Sequence, residues 1–177
     1  MCGMPKRSVC AEIGVDEGAF SEQILRTVEP RRLHLVDPWR HEQGDLYRES
    51  RYGGLGPTGQ ADMDERYEKV RERFDEEVRN GQVCIHRALS SSIYENFEDH
   101  YFDWVYVDGN HLYEFVKQDL ELCYPKVKLG GYITGDDYGA RGWWENGVQR
   151  AVDEFVRRRP GLTLRVNGTQ FVIEKRV

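Results

Sequence analysis

Five short β-prone runs, most of them followed by a segment of helical periodicity, leave this chain few folds to choose from. The runs are residues 8–13, 33–36, 83–86, 102–107 and 131–134, all but the third stopped by glycine or by aspartate-containing turns. After the first, Phe20, Ile24, Leu25 and Val28 recur at helical spacing. Between the fourth and fifth, Leu112, Val116, Leu120, Cys123 and Val127 fall on one helical face, with Gly130 and Gly131 beyond the helix end. Residues 143–158 repeat the pattern through Val148, Val152, Phe155 and Val156, until Pro160 and Gly161 break it. Residues 162–166 and 171–173 flank Asn167-Gly168 as a hairpin, with Thr169 able to lengthen the turn. Strands alternating with helices predict an α/β fold: a doubly wound, mostly parallel seven-stranded sheet, closed by a C-terminal antiparallel β-hairpin.

At 177 residues this is one domain, spanning 1–177. A 39% hydrophobic and 32% charged composition is that of a globular chain, not a disordered one. No stretch reaches the roughly 20 apolar residues of a membrane helix, and the N-terminus lacks a secretory apolar region, so a cytoplasmic protein is expected. Cys2, Cys10, Cys84 and Cys123 are scattered without metal-ligand spacing. A net charge of −6 gives no electrostatic footprint for nucleic acid, and Arg157-Arg158-Arg159 reads as a solvated helix end. The expected partner is a small molecule, with oligomeric state open. Residues 40–60, rich in glycine, form a connection long enough to be a mobile substrate loop, and residues 62–78 read as a charged, solvent-facing helix beside it.

In such a sheet, ligands bind at the carboxyl ends of the strands, near the reversal of strand order. There the first strand runs into Glu12-Ile13-Gly14-Val15-Asp16-Glu17-Gly18. Gly14 lets the backbone pass close to a ligand, and Gly18 opens the helix without a side chain in the way. Phosphate-binding loops need an uncluttered anion nest, whereas Glu12 and Asp16 suit a cation. S-adenosylmethionine, with a sulfonium and an ammonium, meets that description. Asp37 ends the second strand, where an acid can accept hydrogen bonds from both ribose hydroxyls of an adenosine. Ala88 and Ser90, after the third strand, are positioned to touch the adenine, although an ordinary loop with a serine cap fits them equally.

The fourth strand ends in Asp108-Gly109-Asn110-His111 and the fifth in Gly135-Asp136-Asp137-Tyr138. Neighbouring strands bring their ends side by side, so three carboxylates and an imidazole should converge. Their repulsion calls for a cation or protons, and a hard divalent ion such as Mg2+, which suits oxygen ligands, is the simplest compensation.

Residues 102–138, with V-D-G-N-H-L-Y-E, K-Q-D-L-E-L and L-G-G-Y-I-T-G-D-D-Y, resemble the class I methyltransferases that include the macrocin and mycinamicin sugar O-methyltransferases. The E-I-G-V-D-E-G and L-V-D-P-W segments extend the resemblance over residues 9–138. The resemblance implies a metal-assisted O-methyltransferase acting on a small molecule, a sugar or natural product among the candidates. It implies Asp108, Asp136 and Asp137 as metal ligands and His111 as general base. The sequence departs from those sugar enzymes in having Asn110 where they carry aspartate. It also begins at its first strand, without their N-terminal extension, so a different acceptor is expected. A non-catalytic cofactor-binding domain of the same fold, or a NAD-dependent oxidoreductase, stands as the alternative, the latter disfavoured by the glycine spacing.

Overall fold

A computed structural model describes residues 3–176; Met1, Cys2 and Val177 lie outside the described residues, so of the four cysteines only Cys10, Cys84 and Cys123 are placed. All three are free thiols.

Seven strands form one sheet: β1 (Val9–Ile13), β2 (Arg32–Asp37), β3 (Val83–Arg87), β4 (Phe102–Val107), β5 (Val127–Gly135), β6 (Leu162–Asn167) and β7 (Gln170–Lys175), in the order β3-β2-β1-β4-β5-β7-β6. The first five pair parallel; β7 runs antiparallel to β5 and to β6. This is the expected mixed sheet of a Rossmann-like fold, and its order reverses beside β1. The helices are α1 (Ala19–Val28), α2 (Gln60–Arg73), α3 (Asp75–Arg79), α4 (Ser90–Ile93), α5 (Tyr113–Cys123) and α6 (Gly147–Arg157). β1 is buried along its whole length because both sheet faces are covered. One core cluster gathers Val107, Val116, Leu120, Val152 and Phe155 on the α5–α6 face; the other gathers Ile24, Leu35, Trp39, Met63 and Trp104 on the α1–α2 face.

Three boundaries differ from the sequence expectation, each for a local reason. Val127 starts β5 rather than closing the crossover helix, because Pro125 lacks an N–H and α5 ends at Cys123. The predicted helix 62–78 is two helices with a break at Phe74, whose ring is buried over Gly18. This segment is also less solvent-facing than its charge suggests, since Met63 and Val70 are fully buried. The hairpin turn is Gly168-Thr169, with Asn167 paired to Gln170 as the last rung.

Residues 40–60 follow a defined path. A 3-10 turn at Asp45–Tyr47 is tied by Gly54 N–H to Tyr47 O at 3.0 Å, and Glu42 N–H donates to Tyr52 O at 2.8 Å. No helix among the described residues is long and apolar enough to cross a membrane. At the basic cluster, Arg158 pairs with Glu154 and Arg159 with Glu121.

Candidate functional site

A cavity of about 590 Å3 opens at the carboxyl ends of β1, β2, β4 and β5, within the size range of small-molecule sites. The loop after β1, Asp37, Ser90, Asp108, His111 and the Asp136-Asp137 pair all line it. Ala88, by contrast, is not among the lining residues; its N–H bonds Asp37 O at 3.1 Å.

Gly14 adopts φ +87°, and a methyl group there would lie 2.1 Å from the carbonyl oxygen of Asp108. The close approach that Gly14 permits is thus to the β4–α5 link, which locks the two halves of the site together. Gly18 has φ +77° and faces the Phe74 ring. Asp16, Trp39 and Asp137 also have positive φ, at 52°, 41° and 61°. Non-glycine residues hold that region only where the surroundings over-determine it, and such strain clusters at functional sites.

Glu12 is 1% exposed and accepts a hydrogen bond from Ser21 Oγ at 2.5 Å. Burial raises its pKa well above the usual carboxylate range, with Asp108 and Asp37 adding repulsion against the Ser21 hydrogen bond. A positive charge nearby would draw it back down. Asp16 is held by guanidinium groups, Arg51 at 2.5 Å and Arg66 at 2.6 Å, so its charge pins the 40–60 segment and α2 against the β1 loop. Asp37 Oδ2 accepts from Val15 N–H at 2.8 Å, Asp16 N–H at 3.1 Å and the Tyr52 hydroxyl; Oδ1 accepts from Trp39 N–H at 2.7 Å. Burial raises its pKa against all four of these hydrogen bonds.

On the other side, His111 stands between two carboxylates, Nε2 at 3.2 Å from Asp108 Oδ1 and Nδ1 at 3.2 Å from Asp137 Oδ2. One ligand atom from each of these three residues lies within 4.8 Å of the others, close enough to share a metal ion. Burial opposes an imidazolium at His111, but Asp108, Asp137 and Asp136 together outweigh it and raise its pKa. Burial also raises the pKa of Asp108, with Asp137 and Asp136 adding repulsion against the His111 contacts, and that of Asp137, with Asp136 adding repulsion against His111. Asp136 lines the same cavity, with Oδ1 accepting from the Thr169 hydroxyl at 2.5 Å and from Asp137 N–H at 2.8 Å.

A sequence model of the methyltransferase domain matches residues 11–138, from the middle of β1 to just past the acidic pair. The chain belongs to the methyltransferase-domain family. Its class is that of the S-adenosylmethionine-dependent enzymes with a Rossmann-like sheet. An uncharacterised protein of Acanthamoeba polyphaga mimivirus is 29% identical over 143 residues, covering 76% of this chain. The chain spans 64% of that relative's length. Among solved structures, a Staphylococcus aureus protein assigned as a caffeoyl-CoA O-methyltransferase superposes with a TM-score of 0.62 at 17% identity, over 94% of this chain and 76% of that one. The O-methyltransferase from Bacillus cereus in complex with S-adenosylhomocysteine gives 0.60 at 15% identity, over 93% and 71%. Likeness at this identity is a likeness of fold.

Among the residues of this methyltransferase cavity that sequence reasoning missed are Tyr52, Arg51, Tyr47 and Asp119. The first three sit in the irregular 40–60 connection, where no periodicity assigns a side chain a direction; Asp119 looks like one more charge on an amphipathic helix.

Proposed function

We propose that this methyltransferase domain transfers the methyl group of S-adenosylmethionine to a hydroxyl oxygen of a small molecule, assisted by a divalent metal ion. The observation that carries the reading is His111, held between Asp108 and Asp137 in the cavity that Glu12 and Asp37 also line.

S-adenosylmethionine supplies an electrophilic methyl group on a positive sulfur. The buried acids Glu12 and Asp37 sit on the β1–β2 side, where a sulfonium nucleoside would restore their charge. The donor set on the β4–β5 side fits a hard ion: Asp108 and Asp137 offer carboxylate oxygens, with Asp136 beside them. A divalent ion held there supplies Lewis acidity to an acceptor hydroxyl. Oxygen ligands and water satisfy Mg2+ without imidazole, which leaves His111 available as a base.

In the transfer, the acceptor O–H gives its proton to a ring nitrogen of His111. The acceptor oxygen forms a bond to the methyl carbon as the carbon–sulfur bond breaks, and its electron pair stays on sulfur. Asp108 and Asp137 then stabilise the imidazolium. Alignment of the two reactants in one cavity is worth ~7–11 kcal/mol of barrier. The acceptor end is aromatic: the Trp143 ring lies 5.4 Å from Tyr47, and Trp144 lies edge-on to His111 at 4.8 Å. The Trp144 indole N–H is buried without a partner, a donor for an acceptor oxygen. A ring-bearing polyol or phenol matches such walls.

The test is methyl transfer from labelled S-adenosylmethionine to a panel of hydroxylated sugars and phenols, with Mg2+ and with chelator. Mg2+-dependent label in an ether product supports the reading. Binding without transfer to any acceptor points to a non-catalytic cofactor domain, and binding of NAD in place of S-adenosylhomocysteine overturns the reading.

A further inference from the structure

The 40–60 segment reaches the chemical end of the cavity through the side chain of Tyr47. Tyr47 ends the 3-10 turn and lines the cavity with Asn110, His111 and Trp143. Its main chain is held firmly: the carbonyl oxygen accepts the N–H groups of Ser50 and Gly54, both at 3.0 Å, and a methyl group built on Gly53 would lie 2.9 Å from Tyr47 Cβ. Its ring meets that of Trp143 edge-on at 5.4 Å. Its hydroxyl lies 3.2 Å from Asn110 Nδ2.

The direction of that hydrogen bond is fixed by a third residue. Asn110 Oδ1 accepts the Leu112 N–H at 3.0 Å at the entry to α5, so the amide cannot turn over without setting its NH2 group against another N–H. Nδ2 therefore donates and the Tyr47 oxygen accepts, which leaves the Tyr47 proton over. No acceptor among the described residues takes that proton. The lining at this end is otherwise made of acceptors, the carboxylates of Glu42, Glu49, Asp108, Asp136 and Asp137, and Arg51 is already held by Asp16. An uncommitted hydroxyl donor in such a wall is matched by an oxygen on the ligand.

We propose that Tyr47 is a specificity-determining residue whose hydroxyl donates to a second oxygen on the methyl acceptor, and that Asn110 is the positioning residue that keeps this proton free. The inference rests on the methyl-transfer reading of the cavity and narrows its acceptor. In addition to the hydroxyl that is methylated, the acceptor carries an ether, ring or hydroxyl oxygen able to accept a hydrogen bond. Asn110 is the position at which the sequence departs from the aspartate of the sugar enzymes, and the amide decides the outcome. An aspartate would accept the Leu112 N–H equally well, but it would also take the Tyr47 proton and leave that hydroxyl with only lone pairs toward the ligand. Sites built around such a hydrogen bond reject the analogue that lacks it more steeply than apolar pockets reject a missing methylene.

The experiment is ligand-observed NMR titration, with S-adenosylhomocysteine and Mg2+ present, of ortho-, meta- and para-methoxyphenol against the matching ethylphenols, in which a methylene replaces the ether oxygen. The wild-type protein is expected to bind at least one methoxyphenol about three- to tenfold more tightly than its ethyl isostere, the worth of one hydrogen bond. Tyr47→Phe is expected to bring that ratio to about one. Asn110→Asp, which keeps the acceptor for Leu112 N–H, is expected to do the same; comparing isosteres within one protein cancels any change in metal binding or in the fold. A wild-type ratio near one for every pair overturns the inference and needs no variant. A ratio that survives Tyr47→Phe also overturns it, and one that survives Asn110→Asp overturns the role of Asn110. If none of the phenols binds a protein that still binds S-adenosylhomocysteine, the acceptor reading of this end of the cavity fails, and this inference with it.

Discussion

The hydroxyl of Tyr52 donates its proton to Asp37 Oδ2 while accepting the Asp16 N–H at 3.0 Å. The carboxylate expected to hold the ribose hydroxyls is thereby already engaged, by a residue from the connection between β2 and α2. A ribose hydroxyl and the Tyr52 hydroxyl compete for one oxygen that also carries two backbone N–H groups. Tyr52→Phe is expected to tighten S-adenosylhomocysteine binding about three- to tenfold, roughly the net worth of one hydrogen bond, while lowering the melting temperature. Calorimetry beside a thermal melt checks both; weaker binding would mean that Tyr52 helps hold the ligand.

Gly14 joins the cofactor loop to the metal-side acid. With φ +87° and the Asp108 carbonyl 2.1 Å from any added methyl group, Gly14→Ala must displace the start of the β4–α5 link. The variant is expected to lose S-adenosylhomocysteine affinity and Mg2+-induced stabilisation together. Loss of the first with full retention of the second would show that the two loops move independently.

His111→Ala is expected to reduce methyl transfer by about 10²–10⁴-fold, the usual worth of a general base, with S-adenosylhomocysteine affinity unchanged within about threefold. Single-turnover rates beside calorimetry provide the comparison. A near-normal rate removes His111 from the chemistry.

Chelation is expected to abolish turnover and spare S-adenosylhomocysteine binding. In the reverse direction, Mg2+ at about 100 times its dissociation constant should stabilise the fold by about 2.7 kcal/mol. That gain should vanish in Asp108→Asn/Asp137→Asn, which removes both carboxylates from the group that could hold the ion. Thermal melts across a Mg2+ series read both effects.

Acid should weaken the fold at the β2–β3 edge. His34 Nδ1 lies 2.9 Å from His86 Nε2, and His34 Nε2 lies 3.2 Å from the Tyr101 hydroxyl, with Phe97 and Phe102 edge-on to the His34 ring. Burial pushes the His34 pKa down to about 4, with repulsion from His86 and Arg32 adding to it, and burial lowers His86. Both rings are neutral in the fold, whereas the unfolded chain takes up protons near pH 6.5. The stability this confers is complete above about pH 6.5 and drains as pH falls toward about 4, on the order of 3 kcal/mol for His34. His34→Gln, which keeps a hydrogen-bonding side chain without the titration, should melt with a flatter pH dependence between 6.5 and 4.5. An unchanged slope would place the acid sensitivity elsewhere.

Residues with one dominant local signal were readable in advance. The run 102–107 is β4 to the residue, because it is β-prone and ends at Asp108 before a turn. Asp37, Asp108, His111, Asp136 and Asp137 could be sent to one end of the sheet because parallel strands share a direction, and all five line the cavity there. The helix end at Cys123 was misjudged because Val127 continued the apolar spacing, and Pro125 decided otherwise. What a side chain would touch was not readable at all. Asp16 looked free to face a cation, yet two arginines from distant segments hold it.

The amino-acid sequence by itself determined the α/β order, the methyltransferase-domain family and which strand ends carry acids, since periodicity, turn chemistry and motif spacing are properties of neighbours along the chain. Only the tertiary structure decided the partners of those acids: Tyr52 on Asp37, Thr169 on Asp136, His111 between Asp108 and Asp137, and none for the buried oxygen of Asp119. Those pairings depend on through-space distances of a few ångströms, most of them between residues 15 or more positions apart. Burial then sets the charge state of each acid, and burial exists only once both faces of the sheet are covered.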